Sequence, residues 1–386
     1  MHTKHLLVLN PGSSSLRLTV FEIKDKNVGS LVFNGMVSGQ NGKTVLMYQA
    51  RGQKQKINYS VGHNLKAWWQ YIHDLLKDFD IDMVGVRVVH GGELYTSTCR
   101  IDKQFLANIS QFNVLAPLHN PAAIELIKLV QATWPRSKLA ASFDTAWYKD
   151  LAPEVYLYSL PLKYYEKNKI RKYGFHGLSH EAATNFAAKK LRLPLNQLQA
   201  ISCHLGAGAS LSWYIKGKVK DTTMGFSPNE GLTMATRSGD LPSSIVLYLA
   251  QELKMSLPAI HKMFNEQSGL LGISGLSDLR EILLAAGYRV QGYKSSLKFS
   301  AEQKKKAKLA LAIYIYDIKR YLASYIAMTQ KLQAIVFTGT VGVNSPVIRK
   351  LVLKDLQIPK NCKIFVAPEG EMTMLAQKTL QCLLKK

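Results

Sequence analysis

Two stretches of this chain repeat one plan. Residues 5–23 run as an apolar strand HLLVLN, a polar turn PGSSS and an alternating strand LRLTVFEI. Residues 199–216 follow suit, with QAISCH, then LGAGAS, then LSWYIK. One such hairpin constrains little. Two of them, one near the start of each half of the chain, imply an internally duplicated fold.

The sequence between and after them mixes two periods. Leu65, Trp68, Trp69, Ile72, Leu75 and Leu76 recur at helical spacing, whereas MVGVRVVH at 83–90 reads as a strand buried on both faces. Strands alternating with helices predict an α/β architecture. Ala301 to Lys331 reads as an amphipathic helix whose Lys-rich start is a solvated face, and 371–384 as a closing helix.

At 386 residues, 47% of them apolar, the chain exceeds one ordinary core and predicts two domains. No low-complexity linker separates them, so the boundary is expected at a compact hinge near Asp144, where FDTAW follows a strand. Lys and Arg number 50 against 26 Asp and Glu, a net charge of +24. The excess is spread along the chain without a basic arm interleaved with aromatics, which argues against nucleic acid as the partner. Cys99, Cys203, Cys362 and Cys382 show neither a CxxC pair nor a disulfide framework, which favours a reducing compartment. The N-terminal apolar run Leu6 to Leu9 is far short of a signal segment, and no stretch approaches membrane-spanning length. A cytoplasmic protein is expected.

The chemistry gathers in a few places. PGSSS at 11–15 offers amide and hydroxyl donors to phosphate oxygens, or is simply a Ser-rich turn. HLGAGAS at 204–210 has Gly206 and Gly208 flanking a small residue, a composition that lets backbone approach a ligand. His204 is either a phosphate donor or a hydrogen-bonded core histidine. Arg87 stands inside an apolar strand and Arg237 inside TMATRSGD. A charge in a buried run needs a partner, either an internal carboxylate or an anionic ligand. His176 and His180 in YGFHGLSH have the i, i+4 spacing of a zinc pair, but Gly177 intervenes and no supporting ligand stands nearby. His176 reads instead as a donor to developing charge, and His180 as its support.

Taken together, LNPGSSSLR, RVVHGGE, APLHNPA, FDTAW, YGFHGLSH, HLGAGASL, DTTMGFSPNEGL, TRSGD, SGLLGISG and FTGTVGVNS resemble the acetate kinase family, in order and along essentially the whole chain. The resemblance implies the duplicated actin-like and sugar-kinase-like (ribonuclease H-like) α/β fold, two lobes with a central cleft. The N-terminal lobe would be 1–144 plus 371–386, closed by the C-terminal helix, and 145–370 the nucleotide-binding lobe. It also implies a homodimer.

By that resemblance Arg87, Asp144, His176 and Arg237 are catalytic. Arg87, Val89, Leu118, Phe175 and Pro228 bind the small carboxylate, with His119 lining the active site. Arg17, His204, Gly206, Gly208, Asp278, Leu279, Arg280, Gly339, Thr340, Gly342 and Asn344 hold ATP or ADP. Asn10 and Glu371 position Mg²⁺, or Mn²⁺ in its stead. The implied activity is reversible phosphoryl transfer from ATP to acetate, with propionate or butyrate as alternative acceptors and pyrophosphate as an alternative donor. A non-catalytic anion-binding relative is the competing class.

A small carboxylic acid has a pKa near that of Glu, about 4.3, so the nucleophile is already ionised at neutral pH and Asp144 need not act as a base. The demand is to neutralise phosphoryl oxygens while holding attacking and leaving atoms in line. Two arginines, an imidazole and a divalent cation answer it. Both Arg87→Ala and Arg237→Ala are expected to fold normally and lose turnover. The chain departs from the family pattern at Arg17 (usually Lys), Ala207 (Asn), Tyr148 (His), Thr340 (Gly) and Val343 (Glu), and a β-branched Thr340 adds bulk beside the adenosine.

Overall fold

The computed structural model describes residues 4–12, 15–40, 43–50, 53–59, 64–117, 119–368 and 370–385. In chain order the first elements are β1 (His5–Pro11), β2 (Ser15–Lys24), β3 (Asn27–Gln40), β4 (Lys43–Ala50), β5 (Gln53–Tyr59), α1 (Leu65–Leu76) and β6 (Ile81–Val88). Then come β7 (Cys99–Arg100), α2 (Lys103–Ile109), α3 (Asn120–Thr133), β8 (Lys138–Phe143), α4 (Pro153–Tyr156), α5 (Lys163–Asn168) and α6 (Gly177–Leu191). They are followed by β9 (Gln199–Leu205), β10 (Ala209–Ile215), β11 (Lys218–Thr222), α7 (Ser243–Gln251), α8 (Leu257–Glu266), α9 (Gly269–Ser274) and α10 (Leu279–Ala285). The last are α11 (Ala301–Ala327), β12 (Ala334–Thr338), α12 (Gly339–Asn344), α13 (Pro346–Leu353), β13 (Lys363–Val366) and α14 (Glu371–Leu384).

The chain divides into two compact units, Met1–Lys149 with Gly370–Lys386, and Asp150–Glu369. Each is built on one sheet. The first has strand order β5-β4-β3-β2-β1-β6-β8-β7, the second β11-β10-β9-β12-β13. In the first, β3, β2 and β1 are antiparallel neighbours while β6 and β8 follow parallel. In the second, β11, β10 and β9 are antiparallel and β12 and β13 follow parallel. The same five-strand unit therefore occurs twice, and the two hairpins that repeat in the sequence, β1–β2 and β9–β10, occupy the same place in it.

The cores follow from the strand and helix periods. In the first unit Leu7 and Leu9 of β1, Leu16, Leu18 and Val20 of β2, and Val84, Val86 and Val88 of β6 pack with Trp68, Trp69, Ile72 and Leu76 of α1. Asn64 caps α1, its side chain accepting the Ala67 N–H at 2.7 Å. In the second unit α11 buries Ala307, Leu311, Tyr314, Ile318, Leu322 and Tyr325, one stripe at three- and four-residue spacing. The helix ends at Ala327, short of the predicted Lys331, because the Thr329 hydroxyl takes the Tyr325 carbonyl at 2.6 Å and the Thr329 N–H turns to Ile326 at 3.1 Å. Met374, Leu375, Ala376, Thr379, Leu380 and Leu383 of α14 are buried, and α14 packs on β8, β1 and β6 within the first unit. Among the described residues no helix is long and apolar enough to cross a membrane.

Candidate active site

In an α/β sheet the carboxyl ends of neighbouring parallel strands bring distant residues together. In the first unit β1, β6 and β8 end side by side, and Asn10, Arg87 and Asp144 stand at those ends. Glu371 opens α14. Arg87 is the centre of the group. Its Nε donates to Asp144 Oδ1 at 3.0 Å, its Nη2 to Asp144 Oδ2 at 2.5 Å, and its Nη1 to Asn10 Oδ1 at 2.7 Å. Glu371 Oε1 lies 3.3 Å from its Nε. Burial alone would lower the Arg87 pKa, but the charges of Asp144 and Glu371 more than reverse this and hold it above its ordinary value. The partner that the apolar strand demanded for Arg87 is thus internal.

Arg17 is the register partner of Asn10 across the β1–β2 hairpin. Val89 and His90 follow β6, both buried. The backbone of His90 is clamped by Asn120, which accepts its N–H at 3.1 Å and donates to its carbonyl at 2.9 Å. Asn120 drew no notice in the sequence, because an asparagine at the head of a helix ordinarily reads as a local turn residue. His119 directly precedes α3. Leu118, Ser13 and Ser14 lie outside the described residues.

His90 itself carries a consequence for acid stability. Its Nδ1 accepts the Gly92 N–H at 3.0 Å, and burial pushes its pKa down to about 3. Unfolded, the ring takes a proton near pH 6.5. Its contribution is therefore fully present above about pH 6.5 and is lost as pH falls toward 3, at up to about 1.4 kcal/mol per pH unit. Urea unfolding at pH 7 and pH 5 is expected to show a smaller loss in His90→Asn than in the parent, and equal losses would refute this reading.

In the second unit His176 precedes α6 with φ 58°, a left-handed conformation that is uncommon for a residue with a Cβ. A buried network fixes its ring. His176 Nδ1 is 2.8 Å from Ser210 Oγ, Ser210 Oγ is 2.8 Å from His180 Nε2, and His180 Nδ1 is 2.7 Å from Ser202 Oγ. The predicted i, i+4 histidine pair is therefore bridged by a hydroxyl, and burial, reinforced by His204, pushes the His180 pKa well down, so that ring is neutral. His204 stacks on His176 at 4.2 Å between centroids, and its Nδ1 is 2.8 Å from Ser179 Oγ.

The glycine-rich turn lies against this group. A Cβ at Gly208 would come within 3.2 Å of His176 Nε2, close enough to press on the imidazole, and would touch Arg237 Nη1 at 3.7 Å, an ordinary contact. Arg237 differs from Arg87. Its described hydrogen bond is a long one, 3.4 Å from Nη1 to the Pro228 carbonyl, and among the described residues it has no carboxylate partner. Burial lowers its pKa, the mark of a desolvated cation that an anion would relieve. Phe175, the residue before His176, is fully buried.

The stretch 339–344, which the family resemblance implies is a glycine-rich loop, is the short helix α12 directly after β12. Gly339 has φ 76°, and a Cβ there would meet the Leu205 carbonyl at 2.6 Å. Thr340 Oγ1 would lie 3.4 Å from a Cβ on Gly206, so the two small-residue turns adjoin. Asn344 Nδ2 donates to the Thr340 carbonyl at 2.9 Å, and Arg349 Nη1 to the Gly342 carbonyl at 2.8 Å. Asp278 and Arg280 form a separate pair at the head of α10, with Arg280 Nη2 to Asp278 Oδ2 at 2.6 Å, and Leu279 is buried between them in sequence. No described hydrogen bond or ion pair joins that pair to the His176 group.

Two copies of one sheet, with charged and small residues at their strand ends, are the framework of a kinase-type phosphotransferase. The sequence profile of the acetokinase family matches residues 5–361. The acetate kinase of Geobacillus sp. (strain WCH70) is 39% identical over 360 residues, which cover 91% of this chain and 86% of the relative. Among solved structures, a propionate kinase from Francisella tularensis subsp. tularensis SCHU S4 superposes with a TM-score of 0.87 at 33% identity, over 99% of this chain and 100% of that one. The Porphyromonas gingivalis acetate kinase does so with a TM-score of 0.83 at 31% identity, over 98% and 100%. The chain belongs to the acetokinase family.

Proposed function

We propose that this chain is an acetate kinase, transferring the terminal phosphoryl group of ATP to acetate to give acetyl phosphate and ADP, reversibly. The observation that carries the reading is Arg237, a half-buried guanidinium without a carboxylate partner among the described residues, which approaches the same Gly208 as the imidazole of His176. An acetate oxygen attacks the terminal phosphorus in line, forming one P–O bond as the bond to ADP breaks. Arg237 and His176 meet the charge on the transferring oxygens. Asp144, held by Arg87 through two hydrogen bonds, orients that guanidinium and abstracts no proton.

The oxygens around Arg87 also fit a hard divalent cation. Two carboxylates against one guanidinium leave the group of Asp144, Glu371 and Arg87 with a net charge of −1, and Asn10 adds a neutral oxygen. Asn10 and Glu371 are the residues that would hold Mg²⁺. When bound it would neutralise phosphate oxygens and orient the polyphosphate chain. Among the described residues no group of three His, Cys, Asp or Glu side chains forms a metal cage, and Mg²⁺ does not require one, since it keeps most of its waters.

Propionate is the second acceptor to be weighed, on the strength of the likeness to a propionate kinase structure. Purified protein with acetate, propionate or butyrate, Mg²⁺, and ATP, GTP or pyrophosphate, the acyl phosphate being trapped as hydroxamate, decides both substrates. A higher kcat/KM for propionate than for acetate would move the assignment, and turnover with pyrophosphate alone would replace the donor. A cytoplasmic homodimer completes the proposal. The dimer is supported by the exposed Leu247 and Tyr248 of α7, each 57% accessible, and by Leu253 and Leu257 that follow in sequence. Light scattering tests the dimer.

Thr340 tests the nucleotide side. Its side chain adjoins Gly206. Thr340→Gly is expected to lower the ATP KM with little change in kcat, since the contact is remote from the reacting phosphorus, at about 1 kcal/mol of helix stability in α12. An unchanged KM would mean that the turn already accommodates Thr340.

A further inference from the structure

A half-buried carboxylate that the reaction does not use lies close to the residues that it does. Residues 225–230 form a loop closed on itself by the side chain of Glu230. The Phe226 N–H donates to Glu230 Oε2 at 3.0 Å and lies 2.8 Å from the Tyr158 hydroxyl oxygen. That hydroxyl donates to the same carboxylate, 2.6 Å from Oε2 and 2.8 Å from Oε1. The carboxylate lies directly on Gly225, where a Cβ would come within 2.0 Å of Glu230 Oε1.

Three segments meet here. The Gly225 carbonyl accepts N–H groups from Tyr173 at 3.0 Å and Gly174 at 3.3 Å, the residues that lead into Phe175 and His176. On the far side, the Gly231 N–H donates to Asp240 Oδ1 at 2.7 Å and the Asp240 N–H returns to the Gly231 carbonyl at 3.0 Å. Between them the Pro228 carbonyl accepts Arg237. Lys172, the cation that acts on this carboxylate, is engaged by Asp221 at 2.7 Å and the Thr222 carbonyl at 3.1 Å. Burial raises the Glu230 pKa, only partly offset by its hydrogen bonds from Tyr158 and Phe226 and by Lys172. Holding a carboxylate in such a place is costly, and it is tolerated where it fixes geometry.

We infer that Glu230 and Tyr158 form a latch that positions Pro228 and Arg237, and thereby sets how well the site tells acetate from a longer acid. The inference rests on the carboxylate-kinase reading. Both are positioning residues, acting through the loop and not on the substrate. Glu230→Ala opens the loop, Tyr158→Phe removes the bridging hydroxyl, and Glu230→Gln keeps an acceptor for the Phe226 N–H.

The test uses the full chain and reads kcat/KM for acetate and propionate, the ATP KM, the melting temperature, and hydrogen exchange of the peptide spanning 225–231. In Glu230→Ala, kcat/KM for acetate is expected to fall about 10–100-fold, as for lost supporting hydrogen bonds elsewhere. The acetate-to-propionate preference should shrink at least about threefold, within the range one methylene commands. The ATP KM should stay within about twofold and exchange in 225–231 should accelerate, with Tyr158→Phe smaller in the same direction and Glu230→Gln recovering part of the loss. A melting temperature that drops while the acid preference holds would reduce the pair to a structural role and overturn the inference, as would unchanged exchange. A parent protein that phosphorylates neither acid would instead remove the carboxylate reading, and with it the specificity claim, while faster exchange in Glu230→Ala would still identify the latch.

Discussion

Arg87→Ala is expected to cost this protein both its turnover and a large share of its stability. The guanidinium is 13% exposed and bonds to a carboxylate, Asp144, that is not exposed at all, while Glu371 and Asn10 lean on the same group. Removing the cation from a buried pair costs about 3–5 kcal/mol, against a total folding margin of about 5–15 kcal/mol. The sequence alone predicted that this variant folds normally, and the pairing argues against it: an arginine in an apolar strand looks the same whether its partner is a ligand or a carboxylate from 57 residues downstream. Turnover should fall at least about 10²-fold from the lost charge. Urea unfolding and hydroxamate assays separate the two effects. Adding Asp144→Asn to Arg87→Ala should recover stability and leave turnover lost, and a single variant as stable as the parent would contradict the pairing.

Arg237→Ala is expected to behave in the opposite way toward stability. Its guanidinium is half-buried and partly desolvated, and its described bond is one long contact to a carbonyl, so deletion breaks little. Unfolding should be unchanged or shifted to higher denaturant. Turnover should nonetheless drop about 10²–10³-fold, as when one preorganised donor to a transition state is removed. Kinetic loss without loss of stability would mark Arg237 as a group kept for an anion. A melting temperature lowered as far as in Arg87→Ala would make it an ordinary structural ion instead.

The contrast between these arginines shows where sequence reading reaches and where it stops. The two hairpins, β1–β2 and β9–β10, were legible because hydrophobic period and turn composition are local, and the sheet topology bears out the duplication they implied. α14 at 371–384 was legible for the same reason. The hydroxyl that joins His176 to His180 was not, since Ser210 lies 34 and 30 residues away from them. Glu230 was passed over because a glutamate between two turn residues reads as a solvated charge. At 339–344 the family resemblance implied a glycine-rich loop, whereas a positive φ at Gly339 followed by one helical turn is what the backbone adopts.

Synthesis on the ribosome gives the placement of α14 a temporal meaning. The helix belongs to the unit that begins the chain, yet all of residues 150–369 are made before it. At the usual 5–20 residues per second the opening sheet would wait roughly 10–45 s for its last layer, with the surface that α14 covers on β1, β6 and β8 left bare. Glu371, the first residue of that helix, reaches Arg87 only then. A nascent or prematurely terminated chain therefore has an unfinished charge cluster and a sticky face at once. Such a chain can already pair Arg87 with Asp144 and Asn10, but it gains the second carboxylate only when α14 docks.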